Sequence, residues 1–138
     1  MQNSYFYGED SLRGADYCII TEGVADCIVM LQAGFPCISP VTVQFQNKDH
    51  QKLLSLTKGL KRVYICNDNE SNEAGLKGAL CTAEALENEK TEARLIQLPR
   101  PPGIKKIDIA DYMKEHSLED FKGLMDSSVR LQQYKLSG

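Results

Sequence analysis

YCIITEG (residues 17–23) and VYICNDNE (residues 63–70) are the stretches from which the fold is read. Each opens with a nearly continuous apolar run and closes on acidic residues. A strand covered on both faces reads this way, because neither side needs polar residues at alternate positions. Residues 17–21 are therefore expected to form a first strand and residues 63–66 a third. After Glu22-Gly23, residues 24–33 (VADCIVMLQA) carry apolar side chains at helical spacing, and Gly34 stops the helix.

Outward from this unit the alternation continues. Residues 35–41 (FPCISPV) read as the second strand, with Pro36 at its start and Pro40 at its end, where a missing N–H is tolerated. Residues 47–58 read as an amphipathic helix with Leu53, Leu54 and Leu56 inward, ended by Gly59. A further helix is expected over 72–88, where the stripe of Ala74, Leu76, Ala79, Leu80, Ala83 and Leu86 favours close approach to a sheet. Residues 93–98 give the fourth strand, and the prolines and glycine of PRPPGIKK (99–106) force a loop. IDIADYMKEH (107–116) and LEDFKGLMDSSVRLQQY (118–134) read as two helices joined near Ser117. Strands alternating with helices imply right-handed crossovers and an α/β fold of about four mostly parallel strands flanked by helices. The expected organisation is one domain over residues 1–116, lead-in included, and a C-terminal helix and tail over 117–138.

Composition agrees with one folded domain. Of 138 residues, 42% are apolar and 25% charged, ordinary for a globular chain. Sixteen Lys and Arg against nineteen Asp and Glu leave a net charge of −3, so any nucleic-acid contact must be local. No apolar run nears the ~18–20 residues of a membrane span, and the start, MQNSYFYGED, has neither a basic nor a hydrophobic segment. A cytoplasmic protein without a membrane partner is expected. Cys18, Cys27, Cys37, Cys66 and Cys81 lack CxxC spacing and mostly sit in apolar runs, so free thiols are expected rather than zinc or disulfides. His50 and His116 have no ligand-spaced neighbours and are expected at the surface.

In a parallel sheet, function gathers at the carboxyl ends of the strands. Glu22 follows the first strand there, and Asp68 and Glu70 follow the third. One residue apart in an extended segment, Asp68 and Glu70 face one side and Asn69 the other. If the first and third strands are close, three carboxylates converge, and such a cluster repels itself without a cation. Mg²⁺ suits it, being hard, oxygen-seeking and commonly held by one or two carboxylates plus substrate phosphates. The chemistry implied is phosphoryl transfer, with a second ion or a free carboxylate activating the nucleophile. Gly23 allows a tight turn and close approach of a phosphate or metal, and the helix N-terminus after it favours anions. The same acids also read as helix N-caps or solvated turn residues.

The order ITEGVADCIVMLQAGFPCIS, VYICNDNESNEAGLKGA, IDIADYM resembles the TOPRIM domain of bacterial-type primases, topoisomerases and related nucleases, over roughly residues 16–115. The resemblance implies a Rossmann-like TOPRIM fold. It implies that Glu22 acts as general acid or base and that Asp68-x-Glu70 stands where the family carries an Asp-x-Asp that holds Mg²⁺. The primase branch, including phage and mobile-element primase-helicases, is the nearest match. It places an Asp three residues after the glycine (Asp26), a turn at Ala33-Gly34-Phe35, an Ala-Gly after the acidic pair (Ala74-Gly75), and a later acidic segment resembled by residues 107–113. Asp108 would then be a further acidic site residue, although its place before a helix also suits an N-cap. Asp26 equally suits a favourable dipole interaction in the first turn of its helix. YFYGEDSL (5–12) resembles the lead-in of primase cores. Three features depart from the pattern: Glu70 replaces an Asp, Ser71-Asn72-Glu73 lengthen the spacing to Ala74-Gly75, and residues 41–47 (VTVQFQN) lack a glycine-containing turn.

This resemblance implies an Mg²⁺- or Mn²⁺-dependent nucleotidyltransferase domain of a DNA primase-like protein. Such a domain makes RNA primers on single-stranded DNA from nucleoside triphosphates, completed by other primase domains or a helicase. Glu22, Asp68 and Glu70 are the expected catalytic and metal residues, and Asp108 a further metal residue. Gly23, Arg100, Lys105 and Lys106 are the expected phosphate contacts, the last three on the loop that topology puts at the acidic edge. Lys58, Lys61 and Arg62, at the entrance of the third strand, are expected to form a solvated rim at the opposite end. A TOPRIM nuclease and a non-catalytic nucleic-acid- or protein-binding module stay open as alternatives. Neither GxGxxG after the first strand nor GxxxxGK[ST] occurs, which sets aside dinucleotide and P-loop folds.

Overall fold

The apolar runs read above pair in parallel at the centre of the molecule. In the computed structural model, residues 6–40 and 47–137 are described. In chain order they form β1 (Phe6–Tyr7), a 3₁₀ turn (Glu9–Leu12), β2 (Tyr17–Thr21), α1 (Val24–Gln32), β3 (Cys37–Pro40), α2 (Asn47–Thr57), β4 (Arg62–Cys66), β5 (Asn69–Glu70) and α3 (Ala74–Asn88). There follow β6 (Glu92–Leu95), β7 (Lys106–Ile107), α4 (Ile109–Glu115), α5 (Leu118–Asp126), β8 (Val129–Arg130) and α6 (Leu131–Ser137). The main sheet has the order β1-β3-β2-β4-β6-β8. Its four inner strands are parallel, and β1 and β8 close the edges antiparallel. β5 and β7 form a separate antiparallel ribbon.

Alternation along the inner strands splits the core into two layers. Cys18, Ile20, Ile38, Val63, Ile65, Ala93 and Leu95 pack with Leu53 of α2, Ala79, Ala83 and Leu86 of α3, and Leu131 of α6. Ile19, Cys37, Tyr64, Cys66 and Ile96 pack instead with Cys27 and Met30 of α1, Ile109 and Tyr112 of α4, and Phe121 of α5. Two covered faces explain why the strands carry no polar alternation. The small Ala79 and Ala83 let α3 close on the sheet, as the stripe predicted. Cys18, Cys27, Cys37 and Cys66 are buried, Cys81 is exposed, and all five are free thiols. His116 is exposed and stacks on Tyr112 at 3.9 Å between ring centres. Among the described residues no helix is long and apolar enough to cross a membrane.

The structure differs from the sequence reading in places with local causes. The helix expected over 118–134 is divided. The hydroxyls of Ser127 and Ser128 bond back to the carbonyls of Leu124 and Met125, at 3.3 and 2.6 Å, which competes with helix continuation. Val129 and Arg130 then pair with Leu95 and Arg94 as β8. Phe121, beyond residue 116, is fully buried against Phe35 and Tyr112. The helix expected from 72 starts at Ala74, because Glu73 takes a left-handed conformation with φ 60°. Residue 41 of the expected second strand, and residues 41–46 of the stretch that lacks a glycine-containing turn, lie outside the described residues.

Asp26 ties α1 to α4 within the second of these layers. It is 4% exposed, and its two carboxylate oxygens accept the N–H groups of Ile109 (3.2 Å) and Ala110 (3.0 Å). These are first-turn donors of α4, which have no partner within their own helix. Asp26 does lie in the first turn of α1, yet its carboxylate is engaged by a helix 83 residues further along the chain. Burial pushes its carboxyl up to about 6; the two N–H bonds oppose this, and the charges of Asp108 and Asp68 add to it. The ordinary value is 3.8, so folding raises this pKa. The stabilisation from binding that proton is therefore complete below about pH 4 and is lost as the pH climbs through about 6. Asp26→Ala strands both N–H groups and is expected to cost about 2–4 kcal/mol at pH 4. Denaturant titrations should show that deficit narrowing between pH 4 and pH 7, as the wild type takes on a buried charge.

Candidate metal centre

β2 and β4 are adjacent, in register from Tyr17–Arg62 to Thr21–Cys66, so the residues that leave their carboxyl ends stand side by side. Glu22 Oε1 accepts the Asp68 N–H at 3.1 Å. Beyond Asp68 the chain stays extended because Asn69 and Glu70 pair with Ile107 and Lys106. Asn69 Nδ2 donates to the Leu98 carbonyl at 2.6 Å, and the Ser71 N–H donates to the Lys105 carbonyl at 2.9 Å. One oxygen each from Glu22, Asp68 and Glu70 lies within 4.8 Å of the others. Three oxygen donors at this spacing fit a hard divalent cation.

The electrostatics agree with a site built for positive charge. Partial burial raises the Glu22 carboxyl; the Asp68 N–H and Lys106 oppose the rise, and the charges of Asp68 and Glu70 add to it. Burial likewise raises Asp68, against Lys106 and with help from Asp108 and Glu70. Lys106 Nζ lies 3.3 Å from Asp68 Oδ2, and its own pKa is raised by that carboxylate. The cluster therefore carries one built-in countercharge against three acids.

The remaining candidates fall into distinct places. Asp108 is the N-cap of α4, its Oδ1 accepting the Asp111 N–H at 2.8 Å while Asp111 Oδ2 accepts the Asp108 N–H at 3.2 Å. It lies outside the group of three oxygens, although its charge acts on Asp68. Arg100 folds back on its own loop, Nη1 to the Ile104 carbonyl at 2.9 Å and Nε to Asn69 Oδ1 at 3.3 Å. Lys105 is exposed. Gly23 precedes α1 with φ −121° and ψ 153°, extended backbone open to any residue, so the turn itself does not require glycine there. A Cβ at Gly23 would meet nothing within 4 Å, which leaves open space before the helix N-terminus. Arg62 pairs with Glu92 at 2.9 Å at the far end of the sheet.

Gly75 and two asparagines complete the site. A Cβ on Gly75 would collide with the Asp68 carbonyl oxygen and sit 3.3 Å from Glu22 Oε1, so only glycine lets α3 press this close to the acids. Asn67 Nδ2 fastens that approach by donating to the Gly75 carbonyl at 3.0 Å. The longer spacing over Ser71, Asn72 and Glu73 is taken up by a turn, closed by the Glu73 N–H on the Glu70 carbonyl at 3.0 Å. The sequence reading turns Asn69 away from the acids without giving it a partner, because Leu98 lies 29 residues on, and it assigns Asn67 no role.

A sequence family described as Toprim domain matches residues 17–119, and the chain belongs to that family. A DNA primase of Chlamydia pneumoniae is 32% identical over 82 residues, which cover 59% of this chain and 13% of that protein. The crystal structure of a DNA primase domain from Pseudomonas aeruginosa is similar with a TM-score of 0.74 at 19% identity, covering 99% of this chain and 41% of that one. The Aquifex aeolicus primase structure, described as zinc binding and RNA polymerase domains, gives a TM-score of 0.70 at 22% identity, covering 89% of this chain and 28% of that one. At such identities these structures speak to the fold, and the chain spans well under half of each relative. The fold and the family agree on a Toprim domain, and a DNA primase is among the proteins to which the chain is similar.

Gly75→Ala tests the geometry without touching a charge. The forced contact is expected to cost about 1–3 kcal/mol and to displace Asp68 from Glu22. Thermal melts and Mn²⁺ titration followed by electron paramagnetic resonance should show both a lower Tm and weakened ion binding.

Proposed function

We propose that this chain is the metal-binding catalytic part of a DNA primase-type nucleotidyltransferase, which builds an RNA primer on single-stranded DNA from nucleoside triphosphates. The convergence of Glu22, Asp68 and Glu70 carries the reading, in a chain whose family includes a primase relative. Mg²⁺ or Mn²⁺ would be held by these three carboxylates, with Asp108 as a further acid nearby. Held there, such an ion would supply charge neutralisation at phosphate oxygens and activation of the attacking hydroxyl. Where Glu22 is not ligating the ion it is the group suited to move a proton, since burial raises its pKa and its Oε1 is oriented by the Asp68 N–H. Gly23 leaves room for a phosphate before α1. Lys106, Lys105 and Arg100 lie at the same edge, where Lys106 would exchange Asp68 for a substrate phosphate. The template grip and the partners, other primase domains or a helicase, lie outside this fold, and the reading carries a cytoplasmic location with it.

Primer synthesis on single-stranded DNA, assayed in the intact protein, tests this function. Glu22→Gln and Asp68→Asn are each expected to lower the rate by about 10²–10⁴-fold while the Tm stays level or rises, because each relieves repulsion between acids. Unfolding of either variant would make the residue structural. Unaided cutting of labelled DNA by the wild-type chain would replace the reading with a nuclease.

A further inference from the structure

A second feature opens directly onto the acidic cluster. Between the carboxyl ends of β4 and β6, the start of α3 and the C-terminal β8–α6 segment lies a cavity of about 60 Å³. By the 10–15 Å³ that one water requires, it has room for roughly four to six waters, enough to seat one edge of a flat ring with the remainder in its open mouth. Its apolar lining comes from Leu76 and Ala79 of α3, Leu95 of β6, Val129 of β8 and Tyr134 of α6. At its mouth stand Asn67, whose Nδ2 is engaged by the Gly75 carbonyl, and the exposed Gln97. Asp68 and Glu70 line the same cavity, so it is continuous with the proposed metal site.

An apolar slot with amides at its rim takes a flat heterocycle well: the ring faces meet aliphatic and aromatic side chains, and its edge finds donors and acceptors. The adjoining acids would hold phosphates only through a cation, which fixes the orientation of a ligand carrying both parts. We propose that this cavity is the subsite for the base of a nucleotide whose phosphates are held, through a divalent ion, at Glu22, Asp68 and Glu70. The inference rests on the metal-site reading above and adds to it where the base lies. Leu76 and Ala79 set the depth of the slot. Gln97 meets the base edge. Contact of the ring with Tyr134, which lines the cavity from α6, couples nucleotide binding to the C-terminal helix, which no metal alone would do.

The test compares Mg²⁺ with inorganic tripolyphosphate against Mg²⁺ with each nucleoside triphosphate, using calorimetry and backbone amide NMR on the full chain. The nucleotide is expected to bind at least about tenfold tighter than tripolyphosphate, and to shift the amides of Ala79, Val129 and Tyr134, which tripolyphosphate leaves unmoved. Leu76→Phe, which fills the slot, should abolish that advantage and keep tripolyphosphate affinity; Gln97→Ala, at an exposed position that leaves folding intact, should reduce the advantage. Equal affinities, or shifts confined to the acidic segments, would overturn the base subsite and leave the metal site standing. Absence of binding by both probes would overturn the metal-site reading and this subsite with it.

Discussion

The in-register parallel pairing of β2 with β4 is the contact on which the rest depends. Thr21 lies opposite Cys66, so Glu22, one residue on, and Asp68, two residues on, emerge from adjacent strand ends and are joined by a hydrogen bond of 3.1 Å. A slip of one residue would send Ile19 and Ile20 to the wrong layers and separate the acids at the same time. Register is therefore enforced by the two-sided apolar core, and the site inherits its precision from packing rather than from local turns. Residues at the acidic edge contribute little of their own to that packing.

That edge holds like charges together at a cost in stability. Glu22 and Asp68 are both raised by burial, and Lys106 offsets only part of their mutual repulsion. The surrounding structure keeps them in place: the β5–β7 ribbon fixes the Asp68–Glu70 segment, Gly75 admits α3 to the Asp68 carbonyl, and Asp26 locks α4 onto α1. Local strain of this kind, supported by an otherwise consistent core, is what a functional site looks like in physical terms.

Much of this was legible in the sequence, for identifiable reasons. The inner strands are continuous apolar runs, and Asp68-x-Glu70 has the spacing that puts two carboxylates on one side, so the α/β class and the three acids could be read directly. The edge strands β1 and β8 and the ribbon β5–β7 have two residues each, too few for any period to appear. Asp26 reads as a first-turn acid because its true partners, Ile109 and Ala110, are far away in sequence. Ser127 and Ser128 divide a stretch whose apolar pattern alone continues as helix. Lys106 reads as a phosphate contact, but its ion pair with Asp68 is not legible in the sequence, because the β5–β7 register sets it.

The central claim is that Glu22, Asp68 and Glu70 together make one site for a divalent ion. Calorimetric titration of Mg²⁺ and Mn²⁺ into the wild-type chain and into Asp68→Asn, at pH 5 and pH 7.5, tests it most directly. Ion binding that strengthens toward pH 7.5, as the raised carboxyls of Glu22 and Asp68 lose their protons, and that disappears in Asp68→Asn is the predicted result. Binding of equal strength in both proteins, or none in the wild type even with a nucleoside triphosphate present, would contradict it.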